Sequence, residues 1–123
     1  MSASRHQFRL RITRGEDIAV GPGKVDLLEA IGATGSITAA AKALGMSYRR
    51  AWLLVDELNQ LFTEPVVSAH HGGVKGGGAT LTGQGRRIVA LYREAEAKMR
   101  SAAQGEIEAI ERDLGPAVAP AGP

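Results

Sequence analysis

The sequence contains no cysteine among its 123 residues, which excludes disulfides and thiolate metal sites. Aromatic residues make up only 4% of it, so a core must be built mainly from aliphatic side chains. Residues 1–17 lack the apolar run of a signal peptide, and no apolar stretch is long enough to cross a membrane. We therefore expect a soluble, cytoplasmic protein without a membrane partner.

Basic and acidic residues nearly balance, which gives a formal net charge of only +2, but they are distributed unevenly along the chain. Residues 1–87 contain 11 Lys and Arg against 7 Asp and Glu, whereas residues 88–123 contain 4 against 6. This asymmetry places the positive charge on the first part of the chain, which favours contact with nucleic acid there. The length predicts one domain, with room for an appended helix.

The stretch from Ile37 to Phe62, ITAAAKALGMSYRRAWLLVDELNQLF, reads as two helices on either side of Gly45. Gly45 suits a sharp turn because glycine adopts a positive φ without a steric penalty. Ser36 and Ser47 are candidate N-caps, whose hydroxyl oxygens accept hydrogen bonds from unpaired N–H groups of the first turn. The second helix has an apolar stripe formed by Ala51, Leu54, Val55, Leu58, Leu61 and Phe62.

Polar side chains lie opposite that stripe, at Arg49, Asp56 and Gln60. Leu44 and Met46, on either side of the glycine, have the spacing of inward-facing residues. The whole pattern predicts a helix-turn-helix, a unit that places the first turn of its second helix against base edges in a major groove.

Two segments before this unit have their own patterns. Residues 7–13, QFRLRIT, alternate apolar and basic side chains, which predicts a half-buried strand. Its arginines either form a solvated face or contact the DNA backbone. Turn residues from Arg14 to Gly23 predict a loop. Lys24 to Ala33 has helical spacing, which predicts a helix that supports the other two.

Residues 66–82, VVSAHHGGVKGGGATLT, contain two short strand-like pieces around a glycine-rich loop. This pattern predicts a hairpin wing with Lys75 near its tip, which can lay backbone N–H groups and one cation along phosphates or a minor groove. The glycines do not match a nucleotide-binding phosphate loop, because Lys75 precedes the run of three glycines at 76–78 and no Gly-Lys-Ser/Thr follows.

Thr82 is a candidate N-cap for a long helix predicted over residues 83–114. A coiled-coil-like seam alternates steps of four and three along it, at Ile88, Tyr92, Ala95 and Met99. The seam resumes after Gly105. Because a helix of about 20 residues already spans about 30 Å, we expect this one to pair with a second subunit. The alternative is that its second half frays in solution. Residues 115–123 have the composition of a disordered tail.

The polar residues do not form a recognisable catalytic or metal-binding set. His70 and His71 are adjacent, so on a strand they point to opposite faces and cannot chelate one metal together. The serines lie at caps or in glycine-rich and terminal segments, without a nucleophile paired with a base. We therefore expect no enzyme activity, no metal and no cofactor.

The run from Lys24 to Tyr92 resembles the N-terminal DNA-binding domain of ModE, the molybdate-responsive bacterial regulators related to LysR-type winged helices. The similarity is carried by GSITAAAKALGMSYRRAW at 35–52, ELNQL at 57–61 and GGVKGGGATLTGQGRRIVALY at 72–92. It implies a mainly α fold with a small β wing: a winged helix-turn-helix over residues 1–87, followed by the long C-terminal dimerisation helix. It also implies a homodimer on a palindromic operator in double-stranded DNA.

On this resemblance, the residues expected to contact DNA are Ser36, Thr38, Ser47, Tyr48, Arg49, Arg50, Lys75, Gly76 and Arg86. An arginine that is bidentate to guanine, Arg49 or Arg50, contributes about 1–3 kcal/mol of base discrimination. Lys75 and Arg86 are expected to neutralise phosphates. Trp52 is expected in the core beside Tyr48. Dimer contacts are expected at Ile88, Tyr92, Ala95 and Met99.

ModE proteins continue into paired oxyanion-binding modules, which these 123 residues do not contain. We therefore expect this chain not to sense molybdate itself. Either it is a stand-alone regulator, or its sensing is done by a separate protein or by competition with a full-length relative. The leading interpretation is a sequence-specific, homodimeric transcriptional regulator in molybdenum-related gene regulation. The alternative is a winged-helix interaction module that pairs with another regulator and binds DNA only weakly.

Overall fold

The computed structural model describes residues 8–70 and 78–116. Its elements follow one another as β1 (Ile12–Arg14), β2 (Asp17–Val20), α1 (Pro22–Thr34), α2 (Ile37–Ala43), α3 (Tyr48–Leu61), β3 (Val67–His70), β4 (Gly78–Leu81), α4 (Gly83–Ala102) and α5 (Gln104–Asp113). The strands form two antiparallel hairpins, β1–β2 and β3–β4. The predicted fold class, mainly α with a small β wing, is confirmed. In the parts of the chain that the structure describes, no helix has the length and apolar character that a membrane crossing requires.

The helix α1 supplies the middle of the core. It begins at Pro22, whose missing N–H costs nothing in the first turn of a helix. Its fully buried side chains are Val25, Leu27, Leu28 and Ile31. It ends at Gly35, which adopts a φ of 72° and donates its N–H to the Ile31 carbonyl at 2.8 Å. The support helix predicted over residues 24–33 is confirmed, and it extends slightly at each end.

The core lies between α1, α2, α3 and the β3–β4 hairpin. The short helix α2 buries mainly alanines, which let α1 and α3 approach it closely, and α3 buries Ala51, Val55 and Leu58. Met46 is half-buried against this core, as predicted. Leu44 is not: it is the C-cap of α2 and 39% exposed, because the chain turns away from the core there.

The N-terminal segment differs from the predicted strand over residues 7–13. Only Ile12–Arg14 pairs, with Asp17–Val20, in a hairpin that turns at Gly15 (φ 62°). Residues 8–11 instead lie against α4: the Tyr92 hydroxyl donates to the Leu10 carbonyl at 2.5 Å. The Arg100 guanidinium lies 5.3 Å from the ring centre of Phe8. The strand is short because residues 8–11 pack on a helix rather than beside another strand. Gln7 lies outside the described residues.

The β3–β4 hairpin is joined to the helical part at its root. The strands pair from Val67–Leu81 to His70–Gly78. The Ala79 N–H donates to the Gly35 carbonyl at 2.9 Å, which fixes β4 against the end of α1. Both strands predicted for the wing are therefore confirmed. Lys75 and Gly76 lie outside the described residues, and their contact with DNA stays a prediction.

The segment 83–114 is not one continuous helix. It divides at Ala103, which ends α4 and begins α5 with a φ of −105° and a ψ of 11°. Gly105, where the sequence suggested an interruption, lies instead in the first turn of α5. Glycine lowers the helix propensity of this stretch, and the break falls two residues before it. Of the predicted tail, Gly115 and Pro116 are exposed, and the remaining residues lie outside the described ranges.

The predicted dimer seam is partly used within the chain. Tyr92 is only 3% exposed and packs with Val20 and Val25 in a second apolar cluster, so it offers almost no surface to a partner. Burial raises the pKa of its phenol above the ordinary value. Ile88 packs against the main core, and Ala95 is half-buried. Met99 is the seam residue that stays exposed, at 45%.

Candidate nucleic-acid interface

The turn between α2 and α3 is closed by backbone hydrogen bonds. The Gly45 N–H donates to the Lys42 carbonyl at 3.2 Å, and the Met46 N–H donates to the Ala41 carbonyl at 3.0 Å. Gly45 adopts a φ of 68°. This left-handed conformation is sterically unfavourable for a residue that has a Cβ, whereas glycine adopts it readily. The prediction of a glycine-dependent turn at this position is confirmed. Its effect is that the chain changes direction within the four residues 44–47, which separate α2 from α3.

Serine hydroxyls cap both helices of this unit. The Ser47 Oγ accepts a hydrogen bond from the Arg50 N–H at 3.0 Å, and the Ser36 Oγ accepts one from the Ala39 N–H at 3.1 Å. Both predicted N-caps are confirmed. Because each cap satisfies one of the unpaired donors of a helix start, the Ser47 cap holds the first turn of α3 in helical form. That turn carries Tyr48, Arg49 and Arg50.

One side of α3 is buried and the other is open. Ala51, Val55 and Leu58 face the core. At 100° per residue, the direction opposite to them is occupied by the exposed side chains of Arg49, Leu53, Asp56 and Gln60. Arg50, also exposed, lies about 100° around the helix from Arg49. The two arginines therefore leave the helix in different directions, with Arg49 at the centre of the open side.

Tyr48 and Trp52 form an aromatic pair at the edge of this open side. Their ring centres are 6.0 Å apart, with planes inclined at 54°, a separation within the range of favourable aromatic pairs. Trp52 is half-buried and packs against the main core, in agreement with the sequence. Tyr48 is 53% exposed. Its ring packs beside the half-buried indole of Trp52 and remains accessible at the surface.

Charge changes sign along α3. The first turn carries two exposed arginines, and Lys42 adds an exposed cation in the last turn of α2, directly before the Gly45 turn. The later turns carry Asp56 and Glu57, and the Glu57 carboxylate lies 3.7 Å from the Lys24 ammonium. Because phosphates are anionic, the start of α3, rather than its acidic middle, is suited to approach DNA. Lys42 was not among the predicted contacts, although its position beside the turn is visible in the sequence.

Asn59 joins α3 to the root of the wing. Its Oδ1 accepts hydrogen bonds from the N–H groups of Val66 at 2.8 Å and Val67 at 3.1 Å, and its Nδ2 donates to the Val67 carbonyl at 3.1 Å. We call these three bonds the Asn59 bridge. The sequence reasoning missed this residue. The sequence did contain an indication of its role. Asn59 directly follows Leu58, which belongs to the apolar stripe, so a polar side chain is expected there beside buried residues.

The end of the wing is tied to the start of α4. The Thr82 Oγ1 accepts a hydrogen bond from the Gly85 N–H at 3.0 Å, which confirms the predicted cap, and donates to the Pro65 carbonyl at 2.6 Å. The Thr82 N–H donates to the Val66 carbonyl at 3.0 Å. Arg86 is exposed, and its Nη1 donates to the Leu81 carbonyl at 2.9 Å. This bond holds part of the guanidinium beside the wing strand, at the surface.

Arg93 connects α4 to α1 and was also missed. Its guanidinium donates to the carboxylates of Asp26 at 2.6 Å, Glu29 at 2.5 Å and Glu96 at 3.0 Å. The hydrogen bond to Glu29, above all, raises the pKa of Arg93 above its ordinary value. No local pattern indicates this site, because two of its three carboxylates lie more than 60 positions away in the chain.

The predicted contact residues fall into three groups. Thr38, Ser47, Tyr48, Arg49 and Arg50 are exposed on the α2–α3 unit, and Ser36 caps α2 there while half-buried. Arg86 is exposed on α4, at the end of the wing. Lys75 and Gly76 lie outside the described residues. The structure thus brings the helix-turn-helix candidates together on two packed helices and places Arg86 on a separate element.

Comparison with known proteins agrees with this architecture. Residues 23–86 match the family model described as bacterial regulatory helix-turn-helix protein, lysR family. The molybdenum transport protein ModE of Azotobacter vinelandii is 43% identical over 102 residues, which cover 83% of this chain and 38% of that protein. The molybdenum-pterin-binding protein MopB of Rhodobacter capsulatus is 50% identical over 78 residues, covering 63% and 29%. The DNA-binding transcriptional dual regulator ModE of Escherichia coli (strain K12) is 44% identical over 86 residues, covering 70% and 33%.

The chain therefore spans about a third of the length of these relatives. The family model begins in the first turn of α1 and ends in the first turn of α4, so it includes both helices of the helix-turn-helix and the wing hairpin. The resemblance read from the sequence motifs is confirmed over this range. The chain belongs to the bacterial regulatory helix-turn-helix proteins of the lysR family.

Proposed function

We propose that this chain is a sequence-specific DNA-binding transcriptional regulator that acts as a homodimer on a palindromic operator. The observation that carries the proposal is the start of α3, where the Ser47 cap presents Tyr48, Arg49 and Arg50 on the exposed side of a helix anchored in the core. A helix in a major groove reads base edges with side chains of its first turns. Cations on that turn also match the charge of the phosphates.

The directions of the side chains suggest a division of roles. Arg49 leaves the centre of the open side of α3 and is assigned to guanine, which it can contact through two parallel hydrogen bonds. Arg50 leaves at about 100° to it and is assigned to the phosphates that border the groove. Lys75 and Gly76 on the wing and Arg86 at its end are assigned to the backbone of the adjacent groove. Thr38 and Ser36, at the start of α2, are assigned to phosphates on the opposite border.

The homodimer and the link to molybdenum rest on different grounds. A palindromic site requires two copies of α3. The exposed apolar residues of α4, of α5 and of the C-cap that follows α5 supply a surface for pairing: Leu91, Met99, Ile110 and Leu114. The names of relatives that are 43% to 50% identical connect them with molybdenum. We infer that this chain regulates genes of molybdenum metabolism and does so in the cytoplasm, where the DNA is.

The test compares Arg49→Ala with Lys75→Ala on two kinds of duplex. A preferred duplex is first selected by the wild-type chain from a random library at physiological salt, and a scrambled duplex serves as the control. Arg49→Ala is expected to weaken binding to the selected duplex about 5- to 150-fold, while the scrambled duplex changes little. Lys75→Ala is expected to weaken both about equally and to lower the salt dependence by about one counterion. Fluorescence anisotropy over a salt series measures both effects.

Two results contradict the proposal in different ways. Equal losses on both duplexes for both variants refute the assigned roles of Arg49 and Lys75. A wild-type chain that enriches no sequence and binds every duplex weakly refutes sequence-specific regulation itself. That second result, together with a stable complex with another regulator, is what an interaction module predicts.

A further inference from the structure

Leu53 is an apolar side chain at the centre of the exposed side of α3. It is 53% exposed, although the helix has a complete apolar stripe on its other side. A single exposed leucine is ordinary on a protein surface, so exposure alone indicates nothing. Its position is what matters, since it lies one turn after Arg49 and one heptad before Gln60, on a side whose other members are polar.

The position of Leu53 relative to Arg49 can be converted into base pairs. In zinc-finger helices, which also enter the major groove, side chains about three positions apart contact successive bases. When the first turn of α3 lies in the major groove, Leu53, four positions after Arg49, therefore reaches a base about one or two pairs from the one that Arg49 contacts. It has no donor or acceptor for that base. The apolar group that a base pair offers in the major groove is the C5-methyl group of thymine.

We propose that Leu53 is a specificity-determining residue, which recognises the methyl group of a thymine about one or two base pairs from the base contacted by Arg49. The inference rests on the proposed function and adds a base preference to it. Arg49 distinguishes one base from another through hydrogen bonds. Leu53 favours thymine because their contact buries the thymine methyl group and the leucine side chain away from water.

The test removes the methyl group without changing base pairing. Each thymine of the duplex selected by the wild-type chain is replaced in turn by uracil, and affinities are measured by fluorescence anisotropy. One position in each half-site is expected to lose about fourfold in affinity, the effect of one buried methyl group. Leu53→Ala is expected to bind the thymine duplex more weakly and to show no further loss with uracil at that position. The coupling between the two changes isolates the contact.

Gln60→Ala is the matched control, because it shortens an exposed side chain on the same side of α3, about 10 Å further along the axis. It is expected to keep the full sensitivity to uracil. Since Leu53 and Gln60 are exposed, both variants should keep the wild-type circular dichroism and unfolding midpoint.

The inference and the function on which it rests fail separately. If Leu53→Ala keeps the uracil sensitivity of the wild type, if no thymine is sensitive in the wild type, or if the selected site has no thymine at that distance, the role of Leu53 is overturned. Sequence preference that depends on Arg49 would still stand in each case. If the wild-type chain selects no sequence at all, the proposed function fails and the role of Leu53 with it.

Discussion

Among single residues, Gly85 has a role that depends on the backbone of another element. It lies in the first turn of α4, where the helix passes Val66, and a Cβ at this position would overlap the Val66 carbonyl oxygen. That oxygen cannot simply move away, because it accepts the hydrogen bond from the Thr82 N–H at 3.0 Å. The absence of a side chain at Gly85 is therefore what lets α4 begin directly after the wing.

Gly85→Ala is expected to destabilise the protein by about 1–3 kcal/mol, the range typical of overpacking. Urea unfolding followed by circular dichroism measures the free energy of unfolding. Gly105→Ala provides the comparison, since a Cβ there meets no heavy atom within 4 Å. In α5 that substitution is expected to be neutral or to stabilise by up to about 1 kcal/mol, because alanine has the higher helix propensity. Equal destabilisation by both substitutions would show that the contact with Val66 is unimportant.

At the scale of single elements, the sequence was most informative where the determinants are local. Ser36, Ser47, Thr82 and Gly45 each act on a group within a few positions along the chain, and all four were predicted correctly. The N-terminal strand was predicted too long, since only Ile12–Arg14 is a strand, and the C-terminal segment was predicted as one helix where the structure has two. The Leu10 carbonyl accepts a hydrogen bond from the hydroxyl of Tyr92, which is 82 positions away. The alternation of apolar and basic side chains cannot show that this segment packs on a helix instead of pairing with another strand.

The same limit applies to the candidate interface. The residues of the first turn of α3 could be predicted because they are contiguous with their cap. Arg93, which joins α4 to α1, could not be predicted, since Asp26 and Glu29 lie more than 60 positions away and become its neighbours only after folding. Asn59 was missed although its partners, Val66 and Val67, lie only 7 and 8 positions away. Helical spacing already leaves Leu53 outside the apolar stripe of α3, whereas the extent of its exposure, 53%, is a property of the folded chain.

Two substitutions of Ser47 can distinguish an effect on fold stability from an effect on DNA binding. Ser47→Ala removes the hydrogen bond to the Arg50 N–H and is expected to cost about 1 kcal/mol of stability, with weaker DNA binding as the first turn frays. Ser47→Asp keeps an acceptor that is equally favourable at an N-cap, so stability should be close to that of the wild type. Its carboxylate, however, faces the phosphates, and DNA affinity should fall at least as far as in Ser47→Ala.

Thermal unfolding and anisotropy on the selected duplex measure the two properties independently. If Ser47→Asp binds DNA as well as the wild type does, the start of α3 does not approach phosphates. Such a result would count against the proposed interface even if the fold is unchanged.

At the scale of the whole molecule, burial of half the predicted seam changes where a partner can bind. Ile88 and Tyr92 are used inside the chain, so the proposed pairing surface shifts towards the end of α4 and α5. The exposed apolar residues there are Met99, Ile110 and Leu114. The two helices meet at Ala103 rather than forming one rod, so the shape of this surface depends on the break.

Met99→Glu is expected to shift the chain towards monomer, because it places a charge on that surface. Ala97→Glu is the matched control, since Ala97 is exposed and lies about 180° from the seam on the same helix. Sedimentation equilibrium measures the association. Met99→Glu should also weaken binding to a two-half-site duplex by more than tenfold, while binding to a single half-site stays unchanged. Equal effects of the two substitutions would place the pairing surface elsewhere.

The Asn59 bridge has a consequence for the energetics of association. It fastens the far part of the recognition helix to the first residues of the wing through three hydrogen bonds. In the proposed function, α3 and the wing root approach a duplex as one preorganised unit, which lowers the entropic cost of orienting one against the other. Specificity would then depend on how well this preorganised pair fits the DNA.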